Sequence, residues 1–275
     1  VTVARRSRLP ITSGNSYSAS GALWAAADAM RRMGLVQLHP KTKKVMAKTM
    51  VIGASGSIGS VSARLLAMAF DEVVIAGRDM KKLDELKASI LEDTPNAKVT
   101  CSTDYDSLLG EMDMIVTSTS GAGKKILDIT KVKPGCVITD VARPLDLPPE
   151  EVAKRPDVLV IESGEIELPS KVKGLKSIGL PHNIVYACLA ETIVLALEGR
   201  FEVFTIGRDT EWQKVKEIYK LGLKHGMKLA AISGVKGVYS DEDIARVVKL
   251  AKKARLTWDK AAGKAKGSRK AAAKP

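Results

Sequence analysis

Three glycines, Gly53, Gly56 and Gly59, punctuate the stretch Thr49-Met50-Val51-Ile52-Gly53-Ala54-Ser55-Gly56-Ser57-Ile58-Gly59-Ser60. Their spacing suits a loop that holds a dinucleotide. The first glycine makes the turn off a strand, the second lets the backbone approach a pyrophosphate, and the third lets a helix pack closely on the sheet. Ser55 lies in the turn, and the amides near Ser57 and Ile58 would offer unpaired donors and a positive dipole end to the phosphates. The alternative is a plain strand-turn-helix connection. An apolar run before the loop and the helical spacing of Val61 to Met68 after it favour the dinucleotide site.

A second signal concerns which dinucleotide. The next strand, Glu72-Val73-Val74-Ile75-Ala76, ends in Gly77-Arg78-Asp79, with no acid at its tip. A carboxylate there would take the ribose hydroxyls of NAD, whereas an arginine suits the 2′-phosphate of NADP. Arg78 therefore favours NADPH as cofactor, against a simple turn residue, and Asp79 reads as the N-cap of the following helix.

Other residues able to do chemistry lie further along. Thr117, Ser118 and Thr119 follow a short apolar strand and would line the nicotinamide-ribose side of the crevice. Asp140, Arg143 and Glu162 come at or just past the ends of two later strands, where surface turns are the competing reading. Asn15, Ser16 and Tyr17 sit in a polar loop suited to contacting a substrate or to capping a helix. Cys188 falls in the apolar run Ile184 to Glu198, which reads as one buried helix; on these residues alone it is a packed thiol, about one and a half turns in, beyond the reach of the helix dipole. His182, beside Pro181, is a candidate proton donor or thiolate partner. Gly121-Ala122-Gly123-Lys124 lacks the spacing of a phosphate loop.

To bring such residues together, the chain needs strands alternating with helices. Helices are expected over Ala19 to Met33, Met80 to Glu92, Glu211 to His225 and Asp241 to Lys253, with strands ending near Ile52, Ala76, Cys101, Thr117, Asp140 and Ile161. This is the signature of an α/β fold, a doubly wound parallel sheet of Rossmann type with flanking helices. The expected organisation is an N-terminal loop and helix over 1–45, left from a preceding domain; an NADP-binding domain over 46–182; a helical region over 183–255; and a basic flexible tail over 256–275. From Lys249 onward ten Lys and Arg face the single acid Asp259, so +9 of the net +13 lies there. Such a tail suits weak contact with nucleic acid or an acidic partner, or plain solvation. No run of 18 apolar residues appears, so no membrane span is expected. Three scattered cysteines without metal spacing point to a reducing, cytoplasmic setting and no metal site. The abrupt basic opening at Val1 suggests a piece of a longer protein or a processed start.

Four segments together resemble, in order and spacing, the long-chain acyl-acyl-carrier-protein reductases, which form fatty aldehydes: Thr12 to Ser18, Val51 to Ser60, Tyr186-Ala187-Cys188-Leu189-Ala190-Glu191, and Leu197-Glu198-Gly199-Arg200. The resemblance runs from about Ile11 to Ile232. It implies that Cys188 takes the acyl group from an acyl-carrier protein or acyl-CoA as an enzyme thioester, which NADPH then reduces to the aldehyde. A thiolate exchanges readily with a thioester, and the covalent step holds the acyl carbonyl in place. The chain departs from that family in three places. It lacks the domain that precedes the Thr12 loop, Tyr17 stands where a His is expected, and Asp140-Val141-Ala142-Arg143-Pro144 replaces a glycine-rich version. Two other readings compete: an NADP oxidoreductase resembling shikimate dehydrogenase or glutamyl-tRNA reductase, for which no catalytic Lys-Asp pair is found, and a non-catalytic NADP(H)-binding sensor.

Overall fold

The computed structural model describes residues 2–121, 125–142, 144–162, 164–174, 176, 178–206, 210–235 and 237–272, with side chains as far as Asp259 apart from Arg5. Arg143 and residues 122–124 lie outside this set. In chain order the elements are α1 (Thr2–Arg6), α2 (Asn15–Met33), β1 (Val45–Ile52), α3 (Ser57–Ala69), β2 (Phe70–Ala76), α4 (Met80–Asp93), β3 (Lys98–Ser102), β4 (Met114–Thr117) and β5 (Val137–Asp140). There follow α5 (Pro149–Val152), β6 (Leu159–Glu162), β7 (Glu165–Glu167), β8 (Ile184–Tyr186), α6 (Ala187–Leu197), α7 (Trp212–Lys224), β9 (Lys228–Leu229), β10 (Ser233–Gly234), β11 (Gly237–Val238) and α8 (Asp241–Ala272).

The main sheet runs β3-β2-β1-β4-β5-β6, all parallel, and the antiparallel pair β10-β11 extends it beyond β6. This is the doubly wound order expected of a Rossmann fold, with its reversal of winding between β1 and β4. Continuous apolar runs form its strands because helices and loops cover both faces. Alternate residues part accordingly. Val51, Val73, Ile75, Val116 and Ile161 join a core with α2, α3 and α4, while Met50, Ile52, Val74, Ile115 and Ile138 join another with Leu109, Leu127 and Leu147. In register, Ile52 pairs with both Ala76 and Thr117, Thr117 with Asp140, and Asp140 with Glu162. The carboxyl ends of five strands therefore share one edge.

A second, antiparallel sheet of order β8-β7-β9 backs a smaller core of Ile166, Val185, Ala190, Val194, Phe204 and Ile218. Helix α2 joins the two regions. Its alanines at 25, 26 and 29 pack into the core of the main sheet, and Tyr17 packs into the smaller core. Small side chains let its axis approach both.

Three expectations need correction here. The run from Ile184 is not one helix: Ile184–Tyr186 pairs with Glu165–Glu167 as a strand, and the helix begins only at Ala187. An unbroken apolar run has no period to separate the two, and the β-branched Ile184 and Val185 with Tyr186 supply strand preference. Helix α2 starts at Asn15 rather than Ala19. The backbone of α8 continues to Ala272, past the Lys253 end and through the stretch read as a flexible tail. Alanine and lysine are strong helix formers, a preference that operates without a core to bury. Among the described residues, no helix is long and apolar enough to cross a membrane.

Candidate functional site

The glycine loop leaves β1 at the shared edge. Gly53 has φ +82°, and a Cβ there would meet the Ser118 carbonyl oxygen at 2.8 Å. A Cβ on Gly56 would sit 3.2 Å from the Gly53 carbonyl oxygen, and one on Gly59 only 2.2 Å from it. The loop closes on itself through Gly56 N to Gly53 O, 3.0 Å, and is tied to the neighbouring strand end through Ser118 N to Ile52 O, 3.0 Å. Gly56 is extended and α3 begins at Ser57 without a side-chain cap. The amides opening its first turn have no acceptor within the helix, which is the donor set a pyrophosphate needs. These glycines and amides fit a dinucleotide.

Around this cradle, Gly77 brings the end of β2 alongside Ser55, with its Cβ position 3.9 Å from Ser55 Oγ. Arg78 is exposed just beyond. Asp79 is committed elsewhere: its carboxylate caps α4, accepting from Lys82 N at 3.3 Å. Of the residues after β4, Ser118 and Thr119 are half-buried at the loop, but Thr117 is fully buried at the strand end, so it does not line an open ribose site as expected. Thr119 is held by Asp146, through its amide at 3.0 Å and its hydroxyl at 2.6 Å.

Asp140 works inward too. Its oxygens accept from Ala142 N at 3.1 Å and Leu147 N at 3.0 Å, shaping the loop after β5 rather than facing a substrate. Burial pushes its carboxyl up to about 6, and the Asp146 charge adds to this, while those amides and Thr117 pull it back. Glu162, half-buried, ends β6 opposite Ser233 of β10.

Cys188 is the second residue of α6, inside the first turn where the helix dipole acts, and it is exposed. This overturns the reading of a packed thiol deeper in the helix. A cavity of about 320 Å³ is lined by Cys188 together with Ile58 from the first turn of α3, Ser18 from that of α2, Val141 and Tyr186. Gly14, at φ +75°, lies so close that a Cβ on it would fall 2.4 Å from Cys188 Cα. His182 is not brought to the sulfur: it is exposed at the far end of β8, with the three residues of that strand, about 10 Å of extended chain, intervening.

The polar loop before α2 meets α6 through an acid that sequence reasoning did not select. Glu191, fully buried, accepts from Tyr17 N at 2.9 Å and Thr205 Oγ1 at 3.1 Å, and from Thr12 Oγ1. Ser16 and Thr205 share a hydroxyl hydrogen bond of 2.9 Å. A lone acid within an apolar run, one turn from a cysteine, was the available signal. Asn15 reaches the other way, donating through Nδ2 to Ser57 Oγ at 3.3 Å; that hydroxyl also bonds Thr210 Oγ1 at 2.6 Å. Tyr17, expected to face substrate, is instead a core residue packed against Gly222.

A model of the shikimate / quinate 5-dehydrogenase family matches residues 37–167. The chain is 34% identical over 226 residues to the aminotransferase PigE of a Serratia species, covering 81% of this chain and 25% of that protein. It is 25% identical over 190 residues to a long-chain acyl-[acyl-carrier-protein] reductase of Synechococcus elongatus, covering 66% of this chain and 53% of that protein. The chain thus spans about a quarter and about half the length of these two relatives. Among solved structures, the shikimate 5-dehydrogenase of Listeria monocytogenes in complex with shikimate and NAD is similar at 16% identity and a TM-score of 0.38, over 52% of this chain and 51% of that one. Residues 37–167 make up a dinucleotide-binding fold like that of NAD(P)-dependent oxidoreductases.

Two outcomes follow from this geometry. In Gly59→Ala the new methyl meets the Gly53 carbonyl, an overpacking of about 1–3 kcal/mol; a fluorescence titration with NADH and with NADPH is expected to show the affinity for whichever binds reduced about tenfold or more, with the far-UV circular dichroism unchanged. Asp140 holds a proton in the folded state up to about pH 6 that the unfolded chain releases near 3.8. Its contribution to stability is therefore present below 3.8 and lost as the pH rises through about 6. Urea denaturation is expected to show a larger penalty for Asp140→Asn at pH 5 than at pH 7.5; equal penalties would contradict the protonated state.

Proposed function

We propose that the protein reduces an acyl thioester to an aldehyde with NADPH, through a thioester on Cys188. The observation that carries this reading is the single cavity lined by both Cys188 and Ile58, the second residues of α6 and of the dinucleotide helix α3. The Cys188 thiolate attacks the acyl carbonyl, a carbon–sulfur bond forms, and the carrier's sulfur leaves as a thiolate with the electron pair of the broken bond. The positive end of the α6 dipole lies in the turn that carries Cys188, where it favours the negative charge gathering on the sulfur and the carbonyl oxygen. When bound, a reduced nicotinamide would supply a hydrogen with its electron pair to the acyl carbon, the chemistry that takes a thioester to an aldehyde and a thiolate. Gly53, Gly56, Gly59, Ser55, Ser57 and Ile58 would hold its pyrophosphate, with Ser118 and Thr119 beneath, and Arg78 the 2′-phosphate.

The likeness to an acyl-carrier-protein reductase supports the substrate class, either acyl-carrier protein or acyl-CoA. The basic residues after Lys249 suit an acidic carrier's surface. An aldehyde is also a carbonyl that a transaminase consumes, which accords with the likeness to part of PigE. A reducing cytoplasm would keep Cys188 a thiol.

A second reading, an NAD(P)-dependent oxidation of a ring alcohol, is favoured by the family match over 37–167. That match stops short of Cys188, so it speaks for the cofactor half alone. Shikimate oxidation that proceeds undiminished in Cys188→Ala would establish it.

Incubation with acyl-carrier protein or acyl-CoA is expected to leave an acyl mass adduct on Cys188, and addition of NADPH to discharge it as aldehyde. Cys188→Ala should abolish both; an unaltered aldehyde yield in that variant would end this reading. Arg78→Gln removes a charge-assisted contact of about 1.5–3 kcal/mol, so the Kd for NADPH is expected to rise about tenfold to a hundredfold while that for NADH stays put.

A further inference from the structure

We propose that Glu191 is a positioning residue which clasps the Gly14–Tyr17 turn over Cys188 and so registers the sulfur against the dinucleotide helix. Four observations converge on this. Glu191 is fully buried, one turn past Cys188 on the same helix, and its carboxylate takes the Tyr17 amide in the opening turn of α2. Helix α2 has no cap of its own, since the residue before it is Gly14, so a carboxylate from a distant part of the chain completes its N-terminus. The same carboxylate gathers Thr12 and Thr205, whose backbone also pairs with the loop through Ser13 N to Thr205 O at 2.7 Å. The clasped turn carries Gly14 against the backbone of Cys188 and Asn15 against Ser57 Oγ at the start of α3. One acid thereby connects the helix of the sulfur to the helix of the phosphates.

The role is geometric. Glu191 faces inward while Cys188 is exposed, and the acid's hydrogen-bonding capacity is spent on Tyr17, Thr205 and Thr12. Glutamine has the same shape: its oxygen can accept from the Tyr17 amide, and its NH2 can donate to the threonine hydroxyls, which serve as donor or acceptor. Alanine can do neither and would leave the Tyr17 amide buried without a partner. A misplacement of about 1 Å at the sulfur is enough to cost about a hundredfold in rate.

The kinetic consequence rests on the proposed thioester chemistry, but the test has an arm that does not. Cys188 is the exposed thiol, whereas Cys136 is buried and Cys101 half-buried, so alkylation by iodoacetamide, read by peptide mass spectrometry, follows Cys188. With the full chain, NADPH is expected to slow that alkylation in the wild type, because sulfur and dinucleotide share a cavity. In Glu191→Ala the protection should be lost although NADPH still binds by fluorescence titration, and Glu191→Gln should restore it. Where acyl turnover is measurable, Glu191→Ala should lower kcat about a hundredfold with KM little moved. If Glu191→Ala fails to fold, Asn15→Ala, which severs the clasp from α3 without touching the acid, is expected to weaken the same protection. Protection that persists in Glu191→Ala or Asn15→Ala, or that Glu191→Gln fails to restore, overturns the proposal. Absence of protection in the wild type overturns the shared cavity itself. Protection that behaves as expected without any acyl turnover keeps Glu191 in place and removes only the thioester reading.

Discussion

Backbone amides at the start of a helix must find acceptors, and three helices of this protein begin around one cavity. The first turns of α2, α3 and α6 contribute Ser18, Ile58 and Cys188 to its wall. Each solves the same problem differently. Helix α2 borrows the Glu191 carboxylate, α3 leaves its donors beside a glycine cradle, and α6 gives its first amide, Ala187 N, to the Gly164 carbonyl at 2.7 Å. Acceptors are thus supplied from within at α2 and α6, and only α3 leaves its opening donors to a ligand. The alignment of strand ends at Ile52, Ala76, Thr117 and Asp140 is what places α3 there, since a parallel sheet delivers its crossover helices to a common rim.

The buried acids on this rim have structural tasks that serve the site indirectly. Asp146 pins Thr119 through two hydrogen bonds, and Asp140 folds the following loop onto itself through Ala142 and Leu147. The loop after β4 abuts the glycine turn, since Ser118 lies against Gly53, and Asp146 ties the loop after β5 to it through Thr119. Rigidity beneath a phosphate cradle is worth having because a donor held in place loses no freedom when the ligand arrives.

Much of the cofactor half was legible in the chain. Glycines at fixed offsets and an Asp before a helical pattern are local signals, and the structure puts Gly53 and Gly59 in a tight turn against one another and Asp79 at the cap of α4. The surroundings of Cys188 were not legible in the local sequence, because their geometry is made by residues far apart in the chain. Thr12 and Thr205 meet Glu191, and Asn15 meets Ser57, through contacts that no local period announces. The apolar stretch Ile184 to Ala190 hid the switch from strand to helix that puts Cys188 in the first turn of α6. Tyr17 misled for a related reason: a polar stretch was read as a loop, whereas it is the start of a helix whose aromatic ring turns inward.

Helix α2 has a consequence for how the molecule moves. Because one continuous rod is packed by its alanines into the large sheet's core and by Tyr17 into the smaller one, a rotation of either region about the other would tear close-packed surface on both sides. Swinging the two regions shut around a ligand would therefore cost packing along α2. On the thioester reading proposed above, water would be kept from the sulfur by the bulk of the bound reactants and by neighbours such as Tyr186, so a small acyl donor is expected to suffer more hydrolysis than a bulky one.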